Sequence, residues 1–218
     1  MKNLDEILHV SRETICALKS YQSLLIEWQA KFNLVSNASL SDAWNRHFLD
    51  SVQLYDYIPK TAEKLIDLGS GAGFPGLVIS IMAKNRMPYL NVTLVESIKK
   101  KTLFLNAVKE SLGLDVRIEN QRIESLAPEK YDVITSRALS SLSKLLDYAH
   151  PFCRKNTLCV FPKGRSYEEE LCEAHKKHSF DCEIIDNKIS TEGKILLISN
   201  IKQYKGEKNA KNFSNSKS

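Results

Sequence analysis

The stretch Asp67-Leu68-Gly69-Ser70-Gly71-Ala72-Gly73-Phe74-Pro75-Gly76 joins a short apolar run, Leu65 to Leu68, to a helical pattern that opens at Gly76. Glycines let a backbone turn sharply and approach a ligand with no Cβ in the way. Pro75 suits the first turn of the helix that follows. A helix start also offers unpaired N–H groups to electronegative atoms. Gly71, Gly73 and Gly76 match the G-x-G-x-x-G spacing. That spacing alone describes a tight structural turn equally well. Its place between a strand and a helix points to a nucleotide-like ligand.

Outward from the loop, further apolar runs occur at 91–96, 115–119, 131–135 and 157–161, separated by helical patterns at 76–84, 98–112, 142–151 and 167–178. Strands alternating with helices predict parallel βαβ units with helices on both faces and right-handed crossovers. Runs at 183–189 and 194–200 flank Ser190-Thr191-Glu192-Gly193, a hairpin signal, so the last strand reads as antiparallel. The expected fold is α/β, with a seven-stranded, mostly parallel sheet and one antiparallel strand. Upstream, Leu4, Ile7, Leu8, Ile15, Leu18, Leu24, Leu25 and Trp28 recur at helical spacing. After a break at 33–41, Ser41-Asp42 reads as the N-cap of another helix through Ala43, His47, Phe48 and Val52, ended by Pro59. No Pro/Gly/Ser linker divides the chain. The expected organisation is an N-terminal helical extension (1–60) packed on the body, an α/β domain (61–201) and a lysine-rich, disordered tail (202–218).

The 218 residues are 43% hydrophobic and 26% charged, ordinary globular usage that excludes wholesale disorder, collagen-like repetition and a disulfide scaffold. No apolar run reaches the roughly 20 residues of a membrane-spanning helix, and the first ten residues lack the apolar run of a signal peptide. The net charge of +5 is concentrated: from Ile201 onward five lysines stand against Glu207, so residues 1–200 are nearly neutral. Any nucleic-acid footprint on the body is therefore local. Five cysteines with no C-x-x-C read as reduced thiols in the cytoplasm. Cys172, His175, His178 and Cys182 fall at helical spacings, but tetrahedral zinc takes ligands from separate elements. They read as an amphipathic surface helix, and no metal is expected.

Glu96 ends the second strand, where a carboxylate can accept hydrogen bonds from both hydroxyls of a ribose. With the glycine loop this implies an adenosine compound, NAD or S-adenosylmethionine. Three features lean toward the latter. Asp67, two residues before the first glycine, can order the loop and face a cationic amino-acid group. No second domain of dehydrogenase size is present. The terminal hairpin completes a seven-stranded sheet.

Several motifs in order resemble the RsmG family, also called GidB. They are Trp28 with Lys31-Phe32-Asn33-Leu34-Val35-Ser36; Arg46-His47-Phe48-Leu49-Asp50-Ser51; Asp67 through Gly76; Glu96-Ser97 before Lys100; Ile134-Thr135-Ser136-Arg137-Ala138; and Pro162-Lys163-Gly164. The resemblance spans about Leu24 to Lys194. It implies a Rossmann-like class I methyltransferase fold and transfer of a methyl group from S-adenosyl-L-methionine to N7 of a guanine in the 530 loop of 16S rRNA. The implied partner is 16S rRNA in the small ribosomal subunit or its assembly intermediate, met by a cytoplasmic monomer without a membrane. Asp67, Gly69, Gly71, Gly73, Phe74, Gly76, Glu96, Ile123, Glu124 and Arg137 then fall at cofactor-binding positions. Asn33, His47, Arg137 and Lys163 fall at catalytic positions. Phe74 stands where a leucine is familiar in the family, an apolar exchange.

The residue inventory suits that chemistry. Guanine N7 carries a free lone pair, so no general base is needed. The protein must align the reactants and keep water out. Arg137 or Lys163 can hold guanine O6 or nearby phosphates. Plainer readings exist: His47 as a core histidine satisfied by Asp50 or a backbone group, Asn33 as a turn residue, and Phe32 or Phe74 as core rather than base-stacking aromatics. The competing functions are an NAD-dependent oxidoreductase and a non-catalytic ribosome-assembly RNA-binding protein.

Overall fold

The computed structural model describes residues 10–204. The helical signal of Leu4, Ile7 and Leu8 and the tail from Lys205 onward lie outside the described residues. The first element among the described residues is helix α1 (Arg12–Gln29), whose start is capped by Ser11 Oγ accepting from the Thr14 N–H at 3.3 Å. Its Leu18, Tyr21 and Leu25 recur at spacings of three and four and are fully buried.

The seven strands are β1 (Lys64–Leu68), β2 (Asn91–Val95), β3 (Val116–Glu119), β4 (Tyr131–Thr135), β5 (Cys153–Lys163), β6 (His178–Asp186) and β7 (Lys194–Gln203). They form one sheet in the order β3-β2-β1-β4-β5-β7-β6. β1 pairs in parallel with β2 and β4, and β7 alone runs against its neighbours β5 and β6. Helices α2 (Gly76–Arg86), α3 (Lys99–Leu112), α4 (Leu142–Ala149) and α5 (Tyr167–His175) complete the layers.

Alternation along the central strands splits the core in two. Leu65, Val92, Leu94, Val133 and Val160 face α2 and α3, and α1 packs into the same cluster through Leu18, Tyr21 and Leu25. Ile66, Leu68, Val95, Ile134 and Phe161 face α4 and α5. Helix α2 is apolar nearly all round, from Leu77 to Ala83, because it is enclosed on every side. The strand order reverses between β1 and β4, so the crevice beyond their carboxyl ends is where such sheets bind ligands.

Several elements differ from the sequence reading. Ser41-Asp42 does not cap a helix. A helical turn (Asn37–Leu40) already starts after Ser36, whose carbonyl accepts from the Ser39 N–H and hydroxyl at 2.9 and 2.8 Å. The chain then passes through a π-helical turn (Trp44–Leu49) into Asp50–Val52 and a 3-10 turn (Gln53–Tyr57). Helix α5 stops at His175, and His178 instead opens β6, where its Nε2 meets Asp147 Oδ1 at 2.9 Å. The group Cys172, His175, His178 and Cys182 is therefore split between a helix and a strand. Lys202 and Gln203, read as tail, pair with Ser179 and His178 as the end of β7.

Candidate functional site

A cavity of about 540 Å³ opens beyond the carboxyl ends of β1, β2 and β4. The glycine loop forms its floor. Gly69 and Gly71 line it, at φ 69° and 58°. A Cβ at Gly69 would stand 2.6 Å from Leu139 Cδ1, so glycine is required there both by conformation and by space. Gly73 and Gly76 do not line the cavity. A Cβ on Gly73 would meet Leu77 and the Tyr21 hydroxyl, and one on Gly76 would meet Leu94 and Asp67. These two glycines let the loop close on the core.

Asp67 also lies behind the wall rather than in it. Its carboxylate is wholly buried, accepting from the Gly76 N–H at 3.2 Å and the Thr135 hydroxyl at 2.8 Å. It ties the end of the loop through the Gly76 N–H and does not line the cavity. The first N–H of α2 is consequently not free for a ligand. Burial pushes the Asp67 carboxyl up to about 6, against the pull of Ser70, Thr135, the Gly76 N–H and Arg137. Tyr21, from α1, supports the loop from beneath: its hydroxyl donates to the Ala72 carbonyl, and its ring stacks on Phe74 at 5.3 Å.

Glu96 lines the same cavity at the end of β2 and is 6% exposed. One carboxylate oxygen accepts from the Gly71 N–H at 2.9 Å and the other from the Ile98 N–H at 2.8 Å. The acid is thus fixed in position by backbone donors, each oxygen keeping a second lone pair. Ile123 and Glu124, in a 3-10 turn after β3, line the opposite wall with Tyr148 of α4.

The other wall is organised around Arg137, two residues beyond β4. Its Nη1 donates to the Arg46 carbonyl at 2.8 Å and pairs with Asp50 Oδ2 at 3.3 Å. Its Nη2 meets His47 Nδ1 at 2.7 Å, and its guanidinium carbon lies 5.1 Å from the centre of the Phe74 ring. Because a guanidinium has no acceptor, His47 Nδ1 must be the unprotonated nitrogen. The Nε2–H then donates to Ser39 Oγ, 2.9 Å away. Burial first, then the charges of Arg137 and Arg46, lower His47 to about 4, so the ring is neutral at physiological pH. Phe74 is 4% exposed and engaged by Tyr21, Phe48 and His47. Ala138, next in the wall, holds a left-handed φ of 54°.

A second cavity of about 910 Å³ adjoins the first and shares Arg46, Arg137, Ala138 and Leu139 with it. Lys163 belongs here and not to the first cavity; its Nζ donates to the Ser140 carbonyl at 2.9 Å and to Glu170 Oε2 at 2.8 Å. Asn33 lines neither cavity. It is exposed, on a turn held by buried Gln29, whose Oε1 accepts from the Leu34 and Val35 N–H groups. The structure therefore gathers His47 and Arg137, sets Lys163 beyond them and leaves Asn33 at the surface. Sequence reasoning assigned nothing to Tyr21, Arg46, Leu139 or Glu170, and offered Asp50 as a partner of His47, whereas Asp50 pairs with Arg137 and His47 with Arg137 and Ser39. Arg46 and Asp50 flank His47 in a motif already conspicuous, but their partner, Arg137, is some ninety positions away.

Residues 14–198 match the GidB family, described as rRNA small subunit methyltransferase G. A ribosomal RNA small subunit methyltransferase G from Jannaschia sp. (strain CCS1) is 42% identical over 86% of this chain and 89% of its own length. The protein of the same name from Parvibaculum lavamentivorans is 40% identical, covering 90% of this chain and 88% of its own. Among solved structures, a SAM dependent methyltransferase from Aquifex aeolicus superposes with a TM-score of 0.57 at 14% identity, over 72% of this chain and 93% of that one. A methyltransferase from Pyrococcus furiosus gives 0.56 at 16% identity, over 69% and 81%. Such distant likeness concerns the fold, which is the Rossmann-like class I methyltransferase fold. With a match across most of its length and relatives near 40% identity, the chain belongs to the rRNA small subunit methyltransferase G (GidB) family.

Proposed function

We propose that this protein transfers a methyl group from S-adenosyl-L-methionine to N7 of a guanine in the 530 loop of 16S rRNA. The substrate is the rRNA in the small subunit or its assembly intermediate, met by a cytoplasmic monomer. Family membership supports methyl transfer to small-subunit rRNA. The observation that carries the chemistry is the pair of adjoining cavities with Arg137 in their common wall. The NAD reading loses ground, because β7 stands reversed between β5 and β6 in place of the all-parallel order of dinucleotide-binding sheets.

The first cavity fits the cofactor. Its volume lies within the roughly 300–1,000 Å³ of small-molecule sites. Gly69 and Gly71 leave bare backbone for close approach, Glu96 would hold the ribose hydroxyls, and Ile123 with Tyr148 would flank the adenine. When bound, S-adenosylmethionine supplies a methyl group already activated by its sulfonium. The protein then has no proton to remove from N7. His47 is not a base: both ring nitrogens are engaged and its pKa is depressed. Asp67 lies outside the cavity. What the chain supplies is orientation, a guanidinium fixed by three partners beside the base, and walls that exclude water.

The test is the 7-methylguanosine content of 16S rRNA from cells lacking the protein. Loss of one methylated guanine in the 530 loop, restored by the purified protein and S-adenosylmethionine, is the expected result. An unchanged methylation map overturns the proposal.

A further inference from the structure

We propose that Glu170, acting with Lys163, reads the Watson–Crick edge of the acceptor guanine in the second cavity. This rests on the guanine-methylating function proposed above and adds the residue that selects the base.

The two side chains form an ion pair in the cavity wall, 9% and 22% exposed for Lys163 and Glu170. A shielded pair of this kind loses hydration, and burial gives it little net stability over apolar packing. Both residues line the second cavity, and part of their hydrogen-bonding capacity is unused. An ammonium has three protons, and Lys163 spends two, on the Ser140 carbonyl and on Glu170 Oε2. Glu170 Oε2 also accepts from the Leu142 N–H at 2.6 Å, whereas Glu170 Oε1 has no protein partner among the described residues. One free donor thus stands beside an oxygen with both lone pairs free, enough for O6 on one side and for N1–H and N2–H on the other.

Guanine presents the complement: the O6 acceptor next to the N1–H and N2–H donors. Adenine presents a donor at N6 and an acceptor at N1, the reverse order, which would set N–H against ammonium and lone pair against carboxylate. Binding guanine by this edge leaves N7, on the far side of the ring from N2, unencumbered for attack. Arg137, Ala138 and Leu139 provide the wall through which the second cavity meets the first.

Glu170 also caps the start of α4 through Leu142, so loss of activity alone would not separate recognition from support. The experiment compares small subunits reconstituted with guanosine or inosine at the acceptor nucleotide. Inosine keeps O6, N1–H and N7 but lacks the 2-amino group. For the wild type, kcat/KM with inosine is expected to be lower by roughly 5- to 100-fold, the range of a well-formed base contact. In Glu170→Ala the activity on guanosine falls and the guanosine-to-inosine ratio collapses toward one. Glu170→Gln can keep the Leu142 and Lys163 contacts through its one oxygen but puts an NH2 in place of Oε1, so it should retain the fold and lose the ratio as well. S-adenosylmethionine affinity is unchanged in both. A ratio that survives intact in Glu170→Ala, or a wild type indifferent to the 2-amino group, overturns the inference while leaving methyl transfer standing. A wild type that methylates no guanosine substrate overturns the proposed function itself.

Discussion

Arg137 Nη2 donates to His47 Nδ1 across 2.7 Å, joining the end of β4 to the π-helical turn of the N-terminal region. The hydrogen bond fixes the histidine tautomer and leaves the guanidinium as the charged partner. It makes His47 a positioning residue for Arg137, with Ser39 holding the far side of the ring.

The expected pH dependence follows. With His47 lowered to about 4 and Asp67 raised only to about 6, neither changes charge appreciably between about pH 7 and 8.5, and the rate at saturating substrates should show no ionisation limb there. A glutamine can imitate the tautomer, its carbonyl accepting from Arg137 and its amide donating to Ser39. His47→Gln should therefore lose less than about tenfold in kcat, and His47→Leu roughly 10- to 100-fold, by loss of one or two hydrogen bonds. Both should keep a flat profile. A limb near pH 6.5 in the wild type that vanishes in His47→Gln would make His47 a titrating participant.

The same turn shows what the sequence could and could not reveal. The strands and the glycine loop were legible because β1, β2 and β4 are largely buried apolar runs bounded by turns. The reversed β7 was legible from its hairpin. The π-helical turn was not, because its shape is set by partners distant in the chain: Arg137 on the Arg46 carbonyl, and Asn187 on Asp50 at 2.7 Å. Lys163 and Asn33 were grouped with His47 by motif alone. The folded chain sets Lys163 in the adjoining cavity, at the end of β5, and leaves Asn33 exposed on the turn after α1.

Asp67 and His47 should pull stability in opposite directions as pH falls. Asp67 is raised from 3.8 to about 6 in the folded protein, so its stabilising effect is full below pH 3.8 and is lost as pH rises through 6. His47 is lowered from 6.5 to about 4, so its effect is full above pH 6.5 and is lost as pH falls through 4. Between pH 7 and 4.5, the Tm of wild type relative to Asp67→Asn should rise. Relative to His47→Gln it should fall. Melting curves over that range check both signs.

The loop and Glu96 should act as one unit. Glu96→Ala strands the Gly71 and Ile98 N–H groups and removes the proposed ribose acceptor. An unsatisfied donor costs about 1–3 kcal/mol, so calorimetry should show S-adenosylmethionine affinity reduced at least tenfold. Gly69→Asp, at a left-handed φ and against Leu139, should abolish binding with the fold retained by circular dichroism. Near-normal affinity in folded Gly69→Asp would remove the loop from the cofactor site.

The lysine-rich end separates two roles that are continuous in the sequence. Ile201 to Gln203 complete β7, and Lys202 and Gln203 pair with β6, so ending the chain at Asn200 should lower Tm. Ending it at Tyr204 spares every strand and removes Lys205, Lys208, Lys211 and Lys217 with Glu207, a net loss of three positive charges. On single-stranded RNA, each phosphate that a lysine ceases to neutralise reduces the log–log salt slope by about 0.7. The shorter truncation should therefore flatten the salt dependence of binding to small-subunit RNA by up to about two units. Tm and kcat at saturating substrate should remain as in the full chain. If kcat collapses in the Tyr204 truncation despite saturation, the end of the chain takes part in the chemistry and does more than attract RNA.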